Sequence, residues 1–319
     1  MGAIDIRWFD SEGMLQSGGE EALEDAKASG WTWVDITGDD PDHIAIVRET
    51  FGLHPLSIED VVHSQRRAKL DIFPDSLFLA WLTPVERFED QIKVEELDVF
   101  VGKSYLITVH TARVPAVEDV VERLRHLSHV GSDWVLHALI DQLVDSTLPL
   151  VDAIGEDLNT IEDSMLTDDP RQGDLKELHR VRRQLVQLHR IVAPERDVVH
   201  ALVRADSVVT EDAYRYFLDV SDHVSRVLDS VETYQDVGAS VMDVYLSSQN
   251  NRMNEIMKQL TVVATIFMPL TLISGIYGMN LLSGMWPSPD ASWSFFAVVG
   301  FMLAIALVMS AYFRRKHWW

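Results

Sequence analysis

The spacing of apolar residues divides the chain into two chemically different halves. Up to about residue 110 the apolar positions alternate or come in short runs. Residues 4–9 and 32–37 alternate with the period of half-buried strands. Residues 68–72 and 77–83 are strand-like as well. Residues 94–101 and 105–110 read as a hairpin closed through Gly102-Lys103, with the glycine supplying the turn. Residues 41–51 and 56–63 read as short helices. Pro115 suits the first turn of another helix, where its missing N–H is not needed.

From about Ser132 onward long amphipathic patterns take over, and helices are predicted at 132–167, 171–204 and 210–277. Asp168-Asp169-Pro170 and Arg204-Ala205-Asp206 mark the breaks. Pro149 and Pro194 predict kinks inside the first two. No proline occurs between Thr210 and Met268, so the third helix runs on without a break, about 100 Å long at roughly 1.5 Å per residue.

The pattern ends in two uncharged apolar runs, 260–279 and 293–313. Each, as a helix, is long enough for the roughly 30 Å hydrocarbon core of a bilayer. The connection 280–292 is then the part that reaches the far side. It carries no Lys or Arg, whereas Lys258 precedes the first span and Arg314-Arg315-Lys316 follows the second. By the positive-inside rule both termini are cytoplasmic, in a multi-pass protein of the cell (inner) membrane. Trp286 and Trp293 fall at the outer interface, Trp318 and Trp319 at the inner one.

Composition changes this picture little. The net charge is −23, and from Gln259 onward the only acid is Asp290, so the preceding 258 residues carry −25. Such a base repels nucleic acid and attracts cations. Cysteine is absent, which excludes disulfides and thiolate metal sites. The charged first ten residues contain no signal-peptide apolar core. The expected organisation is α+β, with a cytosolic α/β domain over 1–131, a helical stalk domain over 132–258 and a transmembrane pore domain over 259–319.

One face of the long helix carries chemistry. Steps of three and four residues collect Asp243, Ser247, Asn250, Asn254, Met257, Thr261, Ala264, Met268, Thr271, Gly275 and Gly278. Off this stripe lie Ile256, Val263, Ile266, Phe267, Leu270 and Ile273, all bulky. Small and polar residues in a membrane helix serve either a pore lining or close helix packing. Two spans per subunit cannot enclose a pore, so oligomerisation follows from geometry.

The first span ends in Tyr277-Gly278-Met279-Asn280. Here the sequence resembles the CorA family of divalent-cation channels, whose signature is Gly-Met-Asn at the end of the first span. The likeness extends through residues 265–271, the stalk segment 243–248, His54-Pro55-Leu56, Glu59-Asp60 and Gln65-Arg66. It implies a funnel-shaped homo-oligomer, a pentamer, that passes Mg2+ and also Co2+ or Ni2+, with no organic cofactor. Gly278, Met279 and Asn280 are the expected selectivity filter. Mg2+ dehydrates reluctantly, and a ring of neutral Asn280 amide oxygens can hold the hydrated ion without trapping it. Gly278 is expected to permit close backbone approach and special dihedrals. Thr271 is expected to offer a second oxygen ring. Met257, Leu260 and Met268 are expected apolar constrictions, with Leu260 slightly off the stripe. Asp243 and Asn254 are expected to meet the ion near the cytosolic exit, and Pro269 to kink the span. The resemblance also implies regulatory Mg2+ held between subunits by Asp60 and Asp219. The connection after the motif departs from the family's Met-Pro-Glu or similar acidic pattern, since Asp290 is its only acid.

Two other readings fit parts of the chain. A zinc transporter of the same superfamily, proton-coupled, would depart from Gly-Met-Asn, which is intact here. A membrane-anchored helical sensor or scaffold gives no reason for Asn280. An enzyme is not expected, because no P-loop, His-Glu-x-x-His or Gly-x-Ser-x-Gly occurs. His126 and His129 stand three apart on a predicted helix and, without a third ligand, read as surface residues.

Overall fold

The computed structural model describes residues 2–38, 40–63, 67–89, 91–126, 130–165, 172–204, 209–279, 293–316 and 318. Seven strands form one sheet: β1 (Ala3–Phe9), β2 (Leu15–Gly18), β3 (Thr32–Thr37), β4 (Lys69–Ile72), β5 (Ser76–Arg87), β6 (Ile92–Gly102) and β7 (Tyr105–His110). Their order is β2-β1-β3-β7-β6-β5-β4. The β3–β7 pair is parallel and the other pairs are antiparallel. Alternation sorts the side chains of the inner strands to two buried faces. Ile6, Val34, Ile36, Phe78, Phe100 and Ile107 form one face. It lies under α1 (Leu23–Ala28), α2 (Pro41–Phe51) and α3 (Pro55–His63). Trp33, Trp81, Leu97 and Leu106 belong to the other and are fully enclosed. That face receives α5 (Ser132–Met165) and α6 (Gln172–Leu202), with α4 (Pro115–Leu124) packed on α5. The α2 helix starts where Asp40 accepts from the Asp42 N–H at 3.1 Å and Pro41 follows, and it stops at Gly52 with φ 67°.

The long helices follow the predicted bounds closely, and each buries an apolar stripe at three- and four-residue steps. Val135, Leu136, Leu139 and Leu143 do so on α5, and Phe217, Val220, Val224 and Val231 on α7 (Glu211–Tyr277). Pro149, Pro194 and Pro269 lie inside continuous helices. A Cβ on Gly155 of α5 would lie 2.4 Å from Cζ of Tyr234, so only glycine lets the α7 tyrosine ring approach there. Gln235 on α7 donates to the Leu185 carbonyl of α6 at 3.1 Å. These contacts hold α5, α6 and α7 in fixed register.

Four expectations need correction. β2 and α1 are absent from the sequence reading, because both are too short to show a period. β5 runs past Thr83 to Arg87, since Pro84 sits at a register shift where its missing N–H breaks no ladder. Gly102 does not supply a left-handed turn; it is the last residue of β6, and a Cβ there would lie 2.3 Å from the Tyr105 ring. The helix α4 ends at Leu124, so His126 follows it rather than riding on it. His129, the break at 168–170 and Ala205-Asp206 lie outside the described residues.

The chain divides into two compact units, Met1–Met242 and Asp243–Trp319, inside α7. By this division α5 and α6 share a unit with the sheet, where the sequence reading sets them apart after residue 131. The second unit holds the end of α7 and α8 (Ser294–Arg315). Both helices are long and apolar enough to cross a membrane, and only 6% of each apolar window is buried. Phe295, Phe296, Phe267, Leu272 and Leu307 stand in the open, a surface that calls for lipid or partner chains.

Candidate ion pathway and cation sites

The α7 stripe is accessible along its whole length. Asp243, Asn254, Met257, Leu260, Met268, Thr271 and Gly278 are all exposed. The half-buried or buried positions of the span are Lys258, Val262, Thr265, Ile266, Pro269, Leu270, Ile273 and Tyr277. Val262 and Ile266 share a cavity of about 820 Å³ with Leu303, Ala306 and Leu307 of α8. At about 3.6 residues per turn, this covered face is centred on the side of α7 away from the stripe. Part of the stripe itself borders α8, where Thr261, Ala264 and Met268 line a cavity with Met309. The stripe residues are nonetheless exposed. Ile266, Leu270 and Ile273, three of the bulky residues off the stripe, are half-buried.

The threonines of this span satisfy themselves locally. Thr261 donates to the Met257 carbonyl at 2.7 Å and Thr271 to the Phe267 carbonyl at 2.9 Å. Each hydroxyl oxygen keeps acceptor capacity on the exposed face. At the end of α7, Gly278 N–H donates to the Ser274 carbonyl at 2.9 Å. A Cβ on Gly278 would lie 3.2 Å from that carbonyl. The expected special dihedral does not occur at Gly278, since the described glycines with positive φ are Gly13, Gly30, Gly38 and Gly52. Met279 is exposed. Asn280, the expected filter residue, lies outside the described residues, as do the connection 281–292, Gln65-Arg66 and Trp319.

The two expected regulatory carboxylates have different surroundings. Asp60 on α3 receives a hydrogen bond from Lys69 Nζ at 2.7 Å, and the same ammonium reaches Asp71 at 2.7 Å. Asp60, and then Asp71, hold the Lys69 ammonium above its ordinary range. Asp219 stands exposed on α7, its Oδ2 3.8 Å from Nε2 of His223 one turn further on.

That histidine belongs to a cluster the sequence reading missed. His223 Nδ1 lies 3.8 Å from Asp141 Oδ1 and 4.0 Å from Asp145 Oδ1, both on α5. One ligand atom from each of the three residues falls within 4.8 Å of the others, the spacing a bound cation would close. His223 Nδ1 is enclosed and has no hydrogen-bond partner. His137 stands one turn before Asp141 on α5. Burial pushes its imidazole below the ordinary range, against the opposing pull of Asp141 and Asp219. A neutral imidazole is the form that ligates metals. The signal was present in the sequence as His137, Asp141 and Asp145 at four-residue steps and Asp219 with His223 at another. Only the packing of α5 on α7 joins the two sets.

A further buried acid lies in the sheet. Asp98 on β6 is 5% exposed, and its Oδ1 has no hydrogen-bond partner. Burial pushes its carboxyl up to about 8, and the charges of Glu96 and Asp60 add to the shift.

Residues 28–315 match the family described as CorA-like Mg2+ transporter protein. The chain is 33% identical over 306 residues to the cobalt/magnesium transport protein CorA of Thermotoga maritima, covering 94% of this chain and 86% of that protein. It is 25% identical over 292 residues to the protein of the same name from Methanocaldococcus jannaschii, covering 90% of each. The complete structure of the CorA magnesium transporter from Methanocaldococcus jannaschii superposes with a TM-score of 0.86 at 22% identity over 99% of both chains, a likeness of fold.

Proposed function

The chain belongs to the CorA family, and we propose that it is a homo-oligomeric Mg2+ channel of the cell membrane, a pentamer, that also passes Co2+ or Ni2+. The observation that carries this reading is the exposed stripe of α7. A line of small, polar and methionine residues runs exposed from Asp243 to Gly278, and in sequence it leads into Gly278-Met279-Asn280. Copies of α7 arranged about an axis share such a face as a pore wall, with α8 outside. Asn280 meets the hydrated ion at the outer mouth. Thr271 supplies a second oxygen ring. Met257, Leu260 and Met268 are apolar constrictions that close by dewetting. Asp243 and Asn254 meet the ion on the cytosolic side. The ion gradient and membrane potential drive the flux, and no catalytic step is involved.

Regulation is by cytosolic cations that neutralise clustered carboxylates. Asp60 and Asp219 bridge neighbouring subunits through Mg2+, and loss of the ion lets their repulsion loosen the ring. The Asp141–Asp145–His223 cluster beside Asp219 supports a cation-responsive surface on α7. Flux of Mg2+, Co2+ and Zn2+ through purified protein in liposomes tests the function. Absence of Mg2+ flux overturns it, and a clear preference for Zn2+ favours the zinc-transporter reading instead.

A further inference from the structure

A cavity of about 980 Å³ in the sheet-bearing unit is lined by none of Asp141, Asp145 and His223. Its walls come from α2, α3, strands β5 to β7 and α6. Ile44, Ile58, Val61, Leu82, Val94 and Ile191 make most of it apolar. Glu95, Glu96 and Asp98 line one side, and the exposed Arg48 and Arg190 stand at the rim. His110 also borders it, but its ring is committed, with Nδ1 2.7 Å from the Ala112 carbonyl and Nε2 3.1 Å from Asp35. Glu95 pairs with Lys93 at 3.0 Å and accepts from Thr111 at 3.2 Å.

Asp98 is the anomaly. It is 5% exposed, lines this cavity, and leaves Oδ1 without a donor. A buried carboxyl oxygen without a partner is costly, and a ligand bearing N–H donors relieves that cost. Glu96 stands two residues earlier on the same face of β6, about 7 Å away at the strand rise. Aliphatic side chains, among them Ile58, Val61, Leu82 and Val94, line the same cavity. A bare divalent cation needs about six oxygens around it, which these walls do not supply. An anion meets three acids. A flexible chain with an ammonium group at each end matches both the spacing and the wall.

We infer that this cavity is a binding site for an aliphatic diamine or polyamine, with one ammonium on Asp98, the next toward Glu96, and the methylenes against Ile58, Val61 and Leu82. The volume leaves room for the longer members of the class. Arg48 and Arg190 repel an ammonium at their side of the rim, so the ligand enters with its charges toward β6. The site is independent of the permeation reading, and its occupancy is measurable without transport.

The test is calorimetric titration of the full chain in detergent micelles with 1,4-diaminobutane and with spermidine, at constant Mg2+ and ionic strength. Saturable binding at one ligand per protomer is expected. Asp98→Asn, which keeps the shape and removes the ionisable carboxyl that an ammonium would pair with, is expected to weaken it tenfold or more. Ala45→Trp, at an exposed α2 position lining the cavity, is expected to weaken it equally by filling the space. Both variants are checked for cooperative unfolding, oligomeric size and unchanged Mg2+ flux, and all titrations are made at one fixed pH. Absence of saturable binding to the wild type, or an unchanged affinity in either folded variant, overturns the inference.

Discussion

His223 Nδ1 lies 3.8 Å from Asp141 Oδ1, and that distance ties the α7 helix to α5 through ionisable groups. Asp145 on the same side and Asp219 on the other make the imidazole the centre of a carboxylate patch. Mixed nitrogen and oxygen donors favour Co2+, Ni2+ and Zn2+ over Mg2+. Co2+ is therefore expected to raise the melting temperature of the wild type more than Mg2+ at equal concentration. A cation at about 100 times its dissociation constant stabilises by roughly 2.7 kcal/mol. His223→Ala combined with Asp141→Asn is expected to remove most of the Co2+ increment. Thermal scans with equal Co2+ increments in the variant and wild type would show that the cluster binds nothing.

At the outer mouth, Asn280→Ala is expected to abolish or sharply reduce Mg2+ flux in a protein that still assembles. The amide oxygen is the group suited to a hydrated ion, and alanine offers none. Liposome flux alongside size-exclusion chromatography checks this. Wild-type flux and ion preference in an assembled variant would sink the filter assignment.

Cytosolic inhibition is expected to depend on Asp60 and Asp219. Replacing both with asparagine removes the charges that the proposed bridging cation would neutralise. It also removes the repulsion that loosens the ring, so resting flux has no fixed sign. The inhibition curve does: it is expected to move to higher internal Mg2+ or become shallower. Since Lys69 already neutralises part of Asp60, Lys69→Met is expected to move the curve the opposite way. Superimposable curves for wild type and the Asp60→Asn/Asp219→Asn variant would place the sensor elsewhere.

Asp98 makes stability fall with rising pH. Its folded value, about 8, lies above the ordinary 3.8. Between these values the folded state keeps a proton that the unfolded chain has lost. Stability therefore drops across that window, by up to roughly 1.4 kcal/mol per pH unit, and the drop ends above the folded value. Asp98→Asn is expected to escape it, so its melting temperature relative to wild type grows from pH 5 to pH 8. A difference that stays constant with pH would contradict the assignment.

Topology follows from the placement of Lys and Arg. The chain has no cysteine, so a single one at Ser288 reports directly. An impermeant reagent is expected to label it from outside the cell. Labelling from the cytoplasmic side alone would reverse the orientation.

The sequence by itself determined what periodicity and length control. The three long helices, the strands at 32–37 and 105–110 and the two apolar spans were legible because each repeats one pattern over enough residues. The stripe on α7 was legible for the same reason, since every member lies on one helix. The short β2 and α1 were not, and neither was the passage of β5 beyond Pro84, where the partner strand absorbs the irregularity.

Only the tertiary structure decided what depends on two elements meeting. Gly102 serves the Tyr105 ring rather than a turn, because the ring folds back over the strand end. The covered face of α7 is defined by where α8 lies, which no spacing within α7 contains. Asp98 reads in sequence as one more acid of an alternating strand; burial under α2 and α3 makes it an unpaired carboxyl in a cavity. His223 lies about 80 residues from Asp141 and Asp145 along the chain, and they become neighbours because Gly155 lets Tyr234 bring α7 against α5. Side-chain chemistry is written locally, but the distances that turn it into a site are set by packing between elements far apart in sequence.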